Sequence, residues 1–506
     1  MGIEAKGIWE EWEPMPQLVG KDKGELFVRV FLPYSDLLWA NPKKFERDSE
    51  AIQRGEIPPS FFETDEDYLE KDDNGNLMPG NITEDIYWAV HHTLPFWRLS
   101  HIKQLALLTH STEDELNYYA KGGGFHQTRD NHSFLVARPL EAMLRINNFP
   151  QQTINNGIIA GLTHDIATPP FGDPTKEIDP EILNEEAAIR RLFAKYDLSP
   201  LAQFGFDKQT VLDAIEGKGT LGKLLDIADK ISYTAIDVHH FVGDVLHDFN
   251  LYNNFFNPNE PSPDLLGKTI NPMKELITAD PKWANIYQDV RVDGNGEPFF
   301  TNAHRLATFL ELRARMHKGL YLNPHCRAQD MLYKMLTAPL YSRDPNPDFP
   351  LNSENLLWLT DYELNHIILN TWPFLEGQYS LSLVLGLLPN YIKVKDPKQI
   401  EEIVRKLQEQ GALVIGSETI RRFNPATDFR ARDPKDGTIK KFAEIFPQKA
   451  QEIDTMVDDC NQTVVYFWPQ SNDPDSLEVK LKPTIAQIIE DAKQRNGGKL
   501  PSYSLY

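Results

Sequence analysis

Four side chains of the metal-ligating type occur along this chain in the order histidine, histidine-aspartate, aspartate. They are His132, His164, Asp165 and Asp229, and each lies in or beside a segment whose apolar residues have helical spacing. Two imidazoles and two carboxylates form a mixed nitrogen and oxygen set that suits one divalent ion of Mn, Fe, Mg, Ni or Zn. We therefore predict a single metal centre built from these four residues.

The adjacent pair His164-Asp165 restricts the backbone that can carry it. Neighbouring residues point to different sides of a helix, so both can bind one ion only near a helix end or in a distorted turn. Pro169 and Pro170 follow closely and oppose a continuing helix. An isolated His-Asp pair is typical of an ordinary helix end, and it is the ordered set of three pieces that favours a metal site.

Two other segments repeat polar and aromatic residues every four positions. Such a spacing places the members of each set on one helix face, which could line a pocket or simply face solvent. The two sets are Asp229, Tyr233 and Asp237, and Arg313, His317 and Tyr321.

Three basic residues stand within these motifs, namely Arg129, Lys230 and Arg313. An arginine offers a fork of donors to phosphate oxygens, and a lysine offers a point charge. The net charge of −22 argues against a general nucleic-acid binder, so a local basic pocket is what a polyanionic ligand would need.

Taken in order, these motifs resemble the HD-domain superfamily of phosphohydrolases. More narrowly they resemble its dNTP triphosphohydrolase branch, which includes bacterial dGTPases and the mammalian SAM- and HD-domain dNTPase. The resemblance covers roughly residues 80 to 340. The pieces that carry it are Arg98-Leu99 with Ile102 and Gln104-Leu105, Arg129 with His132-Ser133, His164-Asp165 with Pro169-Pro170-Phe171, Asp229-Lys230 with Tyr233 and Asp237, Arg313 with His317 and Tyr321, and a basic tail segment that starts at Phe429.

The resemblance implies a divalent metal cofactor, a homo-oligomer and the hydrolysis of a dNTP to deoxynucleoside and triphosphate. It also implies which residues contact the deoxynucleotide. The expected set is Gln104, Leu105, Arg129, Lys230, Tyr233, Asp237, Arg313 and Tyr321. Leu105 would lie where a ribose 2′-hydroxyl would project, and a buried leucine rejects a hydroxyl group.

This chain departs from the family where additional histidines usually transfer protons. Thr168, Asp173 and Asn184 stand in those places, and Lys176 stands where a carboxylate is expected. The predicted catalytic positions are therefore Asp173, Glu177 and Thr168.

Three explanations for this departure remain open. Asp173 or Glu177 replaces the missing acid–base groups, or the protein binds dNTPs without hydrolysing them as a regulatory protein, or Asp173 is only a turn residue after Gly172. The Gly172-Asp173 pair is also similar to HD-type 5′-nucleotidases, which gives hydrolysis of nucleoside monophosphates as an alternative function.

The arrangement of patterns along the chain predicts a mostly α fold. We expect an N-terminal segment with an acidic insertion (1–81), a helical HD core (82–341) and a smaller α+β C-terminal lobe (342–506). A loop rich in Pro and Asn is expected at about 253–281. Strand-like runs are expected at 412–417, 463–468 and 476–481.

Two further features concern the cellular setting. Only two cysteines occur, which argues against a disulfide framework and predicts a cytoplasmic protein. No run of apolar residues approaches the length of about 18 that a membrane span needs, so we expect no membrane partner.

Overall fold

Helices form most of the structure between residues 86 and 372. The computed structural model describes residues 86, 90, 93–104, 128–195, 199–247, 271–346, 349–372, 389–394, 396–420, 423–470, 485–490 and 502–504. The predicted N-terminal segment 1–81 and Leu105 lie outside these residues. The helices of this part are α1 (Leu94–Leu99), α2 (Arg129–Ile146), α3 (Gln151–Thr163), α4 (Asp173–Lys176), α5 (Pro180–Leu183), α6 (Glu185–Lys195), α7 (Lys208–Ile215), α8 (Gly219–His247), α9 (Asn271–Ala279), α10 (Ala303–Met316), α11 (Pro324–Thr337) and α12 (Asp361–Thr371).

Shorter helical turns connect several of these elements. A π-helical turn (His317–Tyr321) continues α10. Turns of 3-10 type occupy Ser199–Phe204, Trp283–Asp289, Ala338–Leu340, Asn355–Leu357 and Pro397–Gln399. Helix α9 lies within the predicted loop at 253–281, so that prediction is wrong for Asn271–Ala279. The run of Met, Lys, Glu and Leu there favours a helix, and Pro272 lies in the first turn, where proline is tolerated.

In its described residues the C-terminal part mixes strands with helices, among them α13 (Ile400–Glu409), α14 (Phe442–Ile445) and α15 (Pro447–Asp458). The strands in the described part of the chain are β1 (Val290–Val292), β2 (Pro298–Phe300), β3 (Tyr341–Ser342), β4 (Leu351–Asn352), β5 (Asn390–Val394), β6 (Leu413–Ile420), β7 (Arg430–Arg432), β8 (Ile439–Lys441), β9 (Gln462–Trp468) and β10 (Ser502–Ser504). The prediction of a mostly α fold with a smaller α+β part is confirmed.

One sheet has the strand order β10-β6-β9-β5. Strand β9 is antiparallel to both neighbours, and β10 runs parallel to β6. Strands β6 and β9 confirm the predicted strand-like runs at 412–417 and 463–468, whereas the run at 476–481 lies outside the described residues. Most residues along these two strands are buried, and a short apolar run of this kind is typical of a strand inside a core.

A second sheet, with the order β1-β2-β7-β8, joins a hairpin from the helical region to a hairpin from the C-terminal part. Phe300 of β2 pairs in parallel with Ala431 of β7. The hairpin β1-β2 was not predicted, although Asp293-Gly294-Asn295-Gly296 is a turn sequence and Gly296 has a φ of 79°. A two-stranded ladder of β3 and β4 completes the pairing among the described strands.

A continuous hydrophobic core holds these parts together. It contains residues from Ile86 to Ile489 and therefore crosses the predicted boundary between 341 and 342, and this domain boundary stays a prediction. Helices α2, α3 and α8 pack against one another at its centre. At the crossing of α2 and α3, a Cβ at Gly161 would lie 2.7 Å from the Ala137 Cα, so only glycine permits this approach. No helix in the described part of the chain has the length and apolar character that a membrane crossing requires.

Candidate metal centre

The central helices α2, α3 and α8 bring the four predicted metal ligands together. His132 lies in the first turn of α2 and is 2% exposed. Helix α3 ends at Thr163, so that His164 is its C-terminal cap and Asp165 begins the following turn. This confirms the expectation that the adjacent pair lies at a helix end. Asp229 comes from the middle of α8.

The atoms that could bind an ion lie within a few ångströms of one another. Ligand-type atoms of His132, His164 and Asp165 all lie within 4.8 Å of each other. The Asp229 Oδ1 is 2.9 Å from His132 Nε2 and 3.6 Å from His164 Nε2. The Asp165 carboxylate approaches the same two nitrogens at 3.8 and 3.7 Å. His132, His164 and Asp165 could therefore hold one metal ion, and Asp229 lies beside them, where its role as the fourth ligand stays a prediction.

The orientation of His164 fits a cation. Its Nδ1 lies 2.8 Å from the Gly161 carbonyl oxygen, so Nδ1 carries the proton and donates to that carbonyl. The buried Nε2 has no hydrogen-bond partner among the described residues and faces Asp165 and Asp229. Two carboxylates beside this nitrogen favour positive charge there, which either a proton on Nε2 or a bound cation would supply.

The pKa values of His164 and Asp165 also favour a cation in this pocket. Burial alone would lower the pKa of His164, but the charges of Asp165 and Asp229 raise it to about 9. Burial would raise the pKa of Asp165, but Arg129 and the two histidines hold it well below its usual range. The pocket therefore favours positive charge at its centre, which a divalent ion would supply.

Arg129 supports the Asp165 carboxylate directly. Its Nη1 donates a hydrogen bond of 2.7 Å to Asp165 Oδ2, and both side chains are buried. Arg129 is three residues before His132 on α2. One helix turn therefore supplies both the candidate ligand His132 and the hydrogen-bond donor to the candidate ligand Asp165. Its predicted contact with a substrate phosphate stays a prediction.

The predicted substrate residues of α8 and α10 form one cluster. Arg313 Nε donates to the Tyr233 hydroxyl at 2.6 Å, and its Nη1 donates to the Asn424 carbonyl at 2.7 Å. The Tyr321 hydroxyl donates to Asp237. The rings of Tyr233 and Tyr321 meet edge to face with centroids 6.3 Å apart. The two predicted helix faces thus meet each other.

His317 and Phe423 complete this cluster. Their rings stack with centroids 3.9 Å apart and an interplanar angle of 10°. Both ring nitrogens of His317 are buried without a hydrogen-bond partner in the part of the chain described, and burial lowers the pKa of His317 well below its usual value. Phe423 was not predicted because it comes from the C-terminal part and belongs to no helical pattern.

The two remaining predicted substrate residues with described side chains differ in their surroundings. Gln104 is 9% exposed, and its Oε1 has no hydrogen-bond partner among the described residues. Lys230 pairs with Asp226, one turn earlier on α8. An amide oxygen that is buried and unpartnered could accept a hydrogen bond from a ligand hydroxyl.

The predicted catalytic residue Asp173 is the first residue of α4 and is held by an ion pair. Its carboxylate lies 2.5 Å from the Lys176 ammonium, which chiefly lowers the pKa of Asp173 to about 2. The turn before it contains Phe171 and Gly172 with φ values of 57° and 58°. A Cβ at Gly172 would lie 3.0 Å from Arg129 Nη2, so this turn packs closely on the metal centre.

A glutamate that the sequence analysis did not select connects two of these positions. Glu185 accepts a hydrogen bond of 2.9 Å from Thr168 Oγ1 and lies 2.8 Å from Lys176 Nζ. Its position next to Asn184, where a family histidine is usual, was the signal that could have identified it. Thr168, Lys176, Asp173 and Glu185 therefore form one hydrogen-bonded group near Arg129.

Glu177 has a different environment. Its carboxylate is buried and lies 2.8 Å from Arg327 and 2.5 Å from Lys334. Glu418 of β6 pairs with the same two cations at 2.7 Å each. These contacts are those of a buried ion-pair cluster, and proton transfer by Glu177 stays a prediction.

Comparisons with known proteins concern the fold. The chain matches no protein-family model and no curated protein sequence. Among solved structures, it is similar to a hypothetical protein from Aquifex aeolicus and to a phosphohydrolase from Bacteroides thetaiotaomicron. Each has a TM-score of 0.51 and 15% identity over 80% of this chain, and the matches cover 95% and 100% of those two chains. The chain therefore shares its fold with a phosphohydrolase of known structure.

Proposed function

We propose that the protein is a metal-dependent phosphohydrolase of the HD-domain type that hydrolyses deoxynucleoside triphosphates. The observation that carries this proposal is the convergence of His132, His164, Asp165 and Asp229, with the unpartnered nitrogen of His164 facing two carboxylates. The likeness in fold to a phosphohydrolase supports the general class of reaction.

In the proposed reaction, water attacks the α-phosphorus and the bond to the 5′-oxygen breaks. The products are the deoxynucleoside, which takes up a proton on that oxygen, and inorganic triphosphate. A divalent ion held by the four ligands would supply Lewis acidity toward phosphate and water. Arg129 keeps the Asp165 carboxylate ionised and in place through its 2.7 Å hydrogen bond.

The choice of a nucleotide rests on the cluster next to Asp229. Tyr233 and Asp237 follow Asp229 at one-turn intervals on α8, so an aromatic ring and a carboxylate continue directly from a metal ligand. Aromatic rings pack well on a sugar or base, and the Asp237 carboxylate and the Gln104 amide could bind a sugar hydroxyl. Arg313, which contacts Tyr233, would place positive charge near the phosphates.

The experiment that tests this proposal separates substrates and products. Purified protein is incubated with each dNTP, NTP and dNMP in the presence of Mn²⁺ or Mg²⁺, and the products are resolved by anion-exchange chromatography. We expect deoxynucleoside and triphosphate from dNTPs, and no product from His164→Ala. Release of phosphate from dNMPs alone would replace the proposal with a nucleotidase.

A second candidate is a protein that binds dNTPs without hydrolysing them. It is favoured by the ion pairs of Asp173 with Lys176 and of Glu177 with Arg327 and Lys334, because paired carboxylates are poor proton donors. Equilibrium dialysis of a dNTP with the same preparations distinguishes it. Saturable dNTP binding together with no turnover in any metal would support this candidate and contradict hydrolysis.

A further inference from the structure

The buried carboxylate of Asp361 joins two segments that lie on either side of the candidate site. Asp361 is the first residue of α12, in the C-terminal part of the chain, and is 5% exposed. Its Oδ1 accepts a hydrogen bond of 2.7 Å from the backbone N–H of Phe171. Its Oδ2 accepts one of 3.0 Å from the backbone N–H of Lys103. The two acceptor atoms of one side chain are thus used by two different segments.

Both of these segments carry candidate site residues. Phe171 lies in the left-handed turn that leads through Gly172 to Asp173 and packs on Arg129. Lys103 directly precedes Gln104 and forms an isolated β-bridge with Thr128, at the start of the helix that carries His132. The position of Asp361 therefore relates the turn after the metal ligands to the segment with the predicted sugar-binding amide.

The neighbouring residues hold Asp361 firmly. Arg98 is buried and donates to the carbonyls of Leu359 at 2.9 Å, Ile166 at 3.2 Å and Thr168 at 2.6 Å. Thr360 and Glu363 form a capping box at the start of α12. Arg98 therefore links the segment 359–361 to the loop that follows His164 and Asp165, and the capping box fixes the start of α12.

We propose that Asp361 is a positioning residue that sets the Phe171–Asp173 turn relative to Gln104, and through them the geometry of the nucleotide at the metal centre. This inference rests on the proposed hydrolysis of dNTPs. A carboxylate can accept both N–H groups, whereas an amide side chain of the same shape must present its NH₂ group to one of them. Asp361→Asn therefore removes one acceptor without removing volume.

The matched control is Glu363→Gln. Glu363 is also buried at the start of α12, but it accepts hydrogen bonds only from Thr360 and does not contact Phe171 or Lys103 among its described partners. Both variants weaken the same helix start, so a difference between them reports the contacts of Asp361 and not the stability of α12.

The first measurement is hydrogen exchange of the Lys103 and Phe171 amides in the wild-type protein and the two variants. We expect both amides to be protected in the wild type, and at least one to exchange faster in Asp361→Asn but not in Glu363→Gln. Unprotected amides in the wild type would overturn the proposal, and this holds even if Asp361→Asn does not fold.

The second measurement separates kcat from KM for the best dNTP. Misplacement of reacting groups by about an ångström can cost on the order of 10²-fold in rate, so we expect a loss of that order in kcat for Asp361→Asn with a smaller change in KM. An equal loss in both variants would make Asp361 merely structural. A wild-type protein that hydrolyses no nucleotide would contradict the proposed function, and the exchange experiment would still decide the role of Asp361.

Discussion

The charge states of single side chains in this protein depend on the residues that pair with them. Asp173 was predicted as a proton carrier from its position after a Pro-Pro-Phe-Gly turn, and that turn is present. The Lys176 ammonium, three residues later, lowers the pKa of Asp173 to about 2, so the carboxylate is ionised at neutral pH. It can therefore accept a proton but has none to donate, and a pKa this low makes it a weak base.

The first prediction concerns this carboxylate. If Asp173 is the proton acceptor, Asp173→Asn should lower kcat by about 10²–10⁴-fold while metal content and dNTP binding stay unchanged. Steady-state kinetics together with dialysis measure these quantities. The control is Asp213→Asn, which changes an aspartate of α7 whose partners are Gln209 and Lys218. An unchanged kcat would leave Asp173 as a turn residue.

The second prediction uses the raised pKa of Glu141, which is fully buried on α2. Burial raises its pKa from 4.5 to about 7, and the ion pair with Arg145 offsets only part of this. Because the folded state binds this proton more tightly than the unfolded chain does, folding loses stability as the pH rises from about 4.5 to 7. Glutamine does not titrate, so Glu141→Gln should gain folding stability relative to the wild type as the pH rises over this range.

The expected gain is at most about 3 kcal/mol, since each pKa unit corresponds to about 1.4 kcal/mol. Urea unfolding at pH 5 and pH 8 measures it, with Glu186→Gln at an exposed position of α6 as the matched control. A stability difference between Glu141→Gln and the wild type that does not change with pH would contradict the assignment.

Residues in short motifs were predictable from the sequence, whereas residues that act across the chain were not. His132, His164, Asp165 and Asp229 stand in ordered motifs, and their types limit their chemistry. Asp361 contacts Phe171 from 190 positions away, and nothing in its local pattern of residues indicates that contact. Only packing of the complete fold brings the two together.

At the scale of elements, a buried ion-pair cluster fastens β6 to α11 and to the residue after α4. Glu418 of β6 is 0% exposed and pairs with Arg327 and Lys334 of α11, which also hold Glu177. The hydroxyl of Tyr466 on β9 donates to Glu418 as well, at 3.3 Å. Arg327 also pairs with Asp330 at 2.5 Å, and the loss of any one member leaves its partners buried without that ion pair.

The third prediction follows from this network. Glu418→Ala would remove a buried carboxylate that Arg327 and Lys334 share, and breaking a buried ion pair by removing one partner typically costs about 3–5 kcal/mol. Glu409→Ala is the control, because its ion pair with Arg405 is exposed and such pairs are worth about 1 kcal/mol or less. Chemical denaturation measures both, and equal losses of stability would show that the cluster does not hold the sheet to α11.

Element types were predicted best where periodicity was strong. The long helices α2 and α8 have helical spacing of apolar residues, and the strands β6 and β9 contain short apolar runs that are buried almost throughout. The hairpin β1-β2 was missed because each strand has only three residues and lies within a helical region. Its pairing with β7 depends on a segment about 130 positions later, which no local pattern can indicate.

At the scale of the whole molecule, the core joins the helical region with the C-terminal part. Phe423, Glu418 and Asp361 all come from the predicted lobe and contact residues of the predicted HD core. The lobe therefore contributes to the surroundings of the candidate site. The predictions of a homo-oligomer and a cytoplasmic location concern this scale too, and they stay predictions.

The central claim is that the residues of α2, α3 and α8 form one metal centre. Elemental analysis of the purified protein, after loading with Mn²⁺ and dialysis, tests it most directly. The comparison includes His164→Ala, which removes a proposed ligand, and His304→Ala, which changes an exposed histidine that packs on Phe446. We expect about one ion per chain in the wild type and in His304→Ala, and almost none in His164→Ala. Equal metal content in all three proteins would contradict the account.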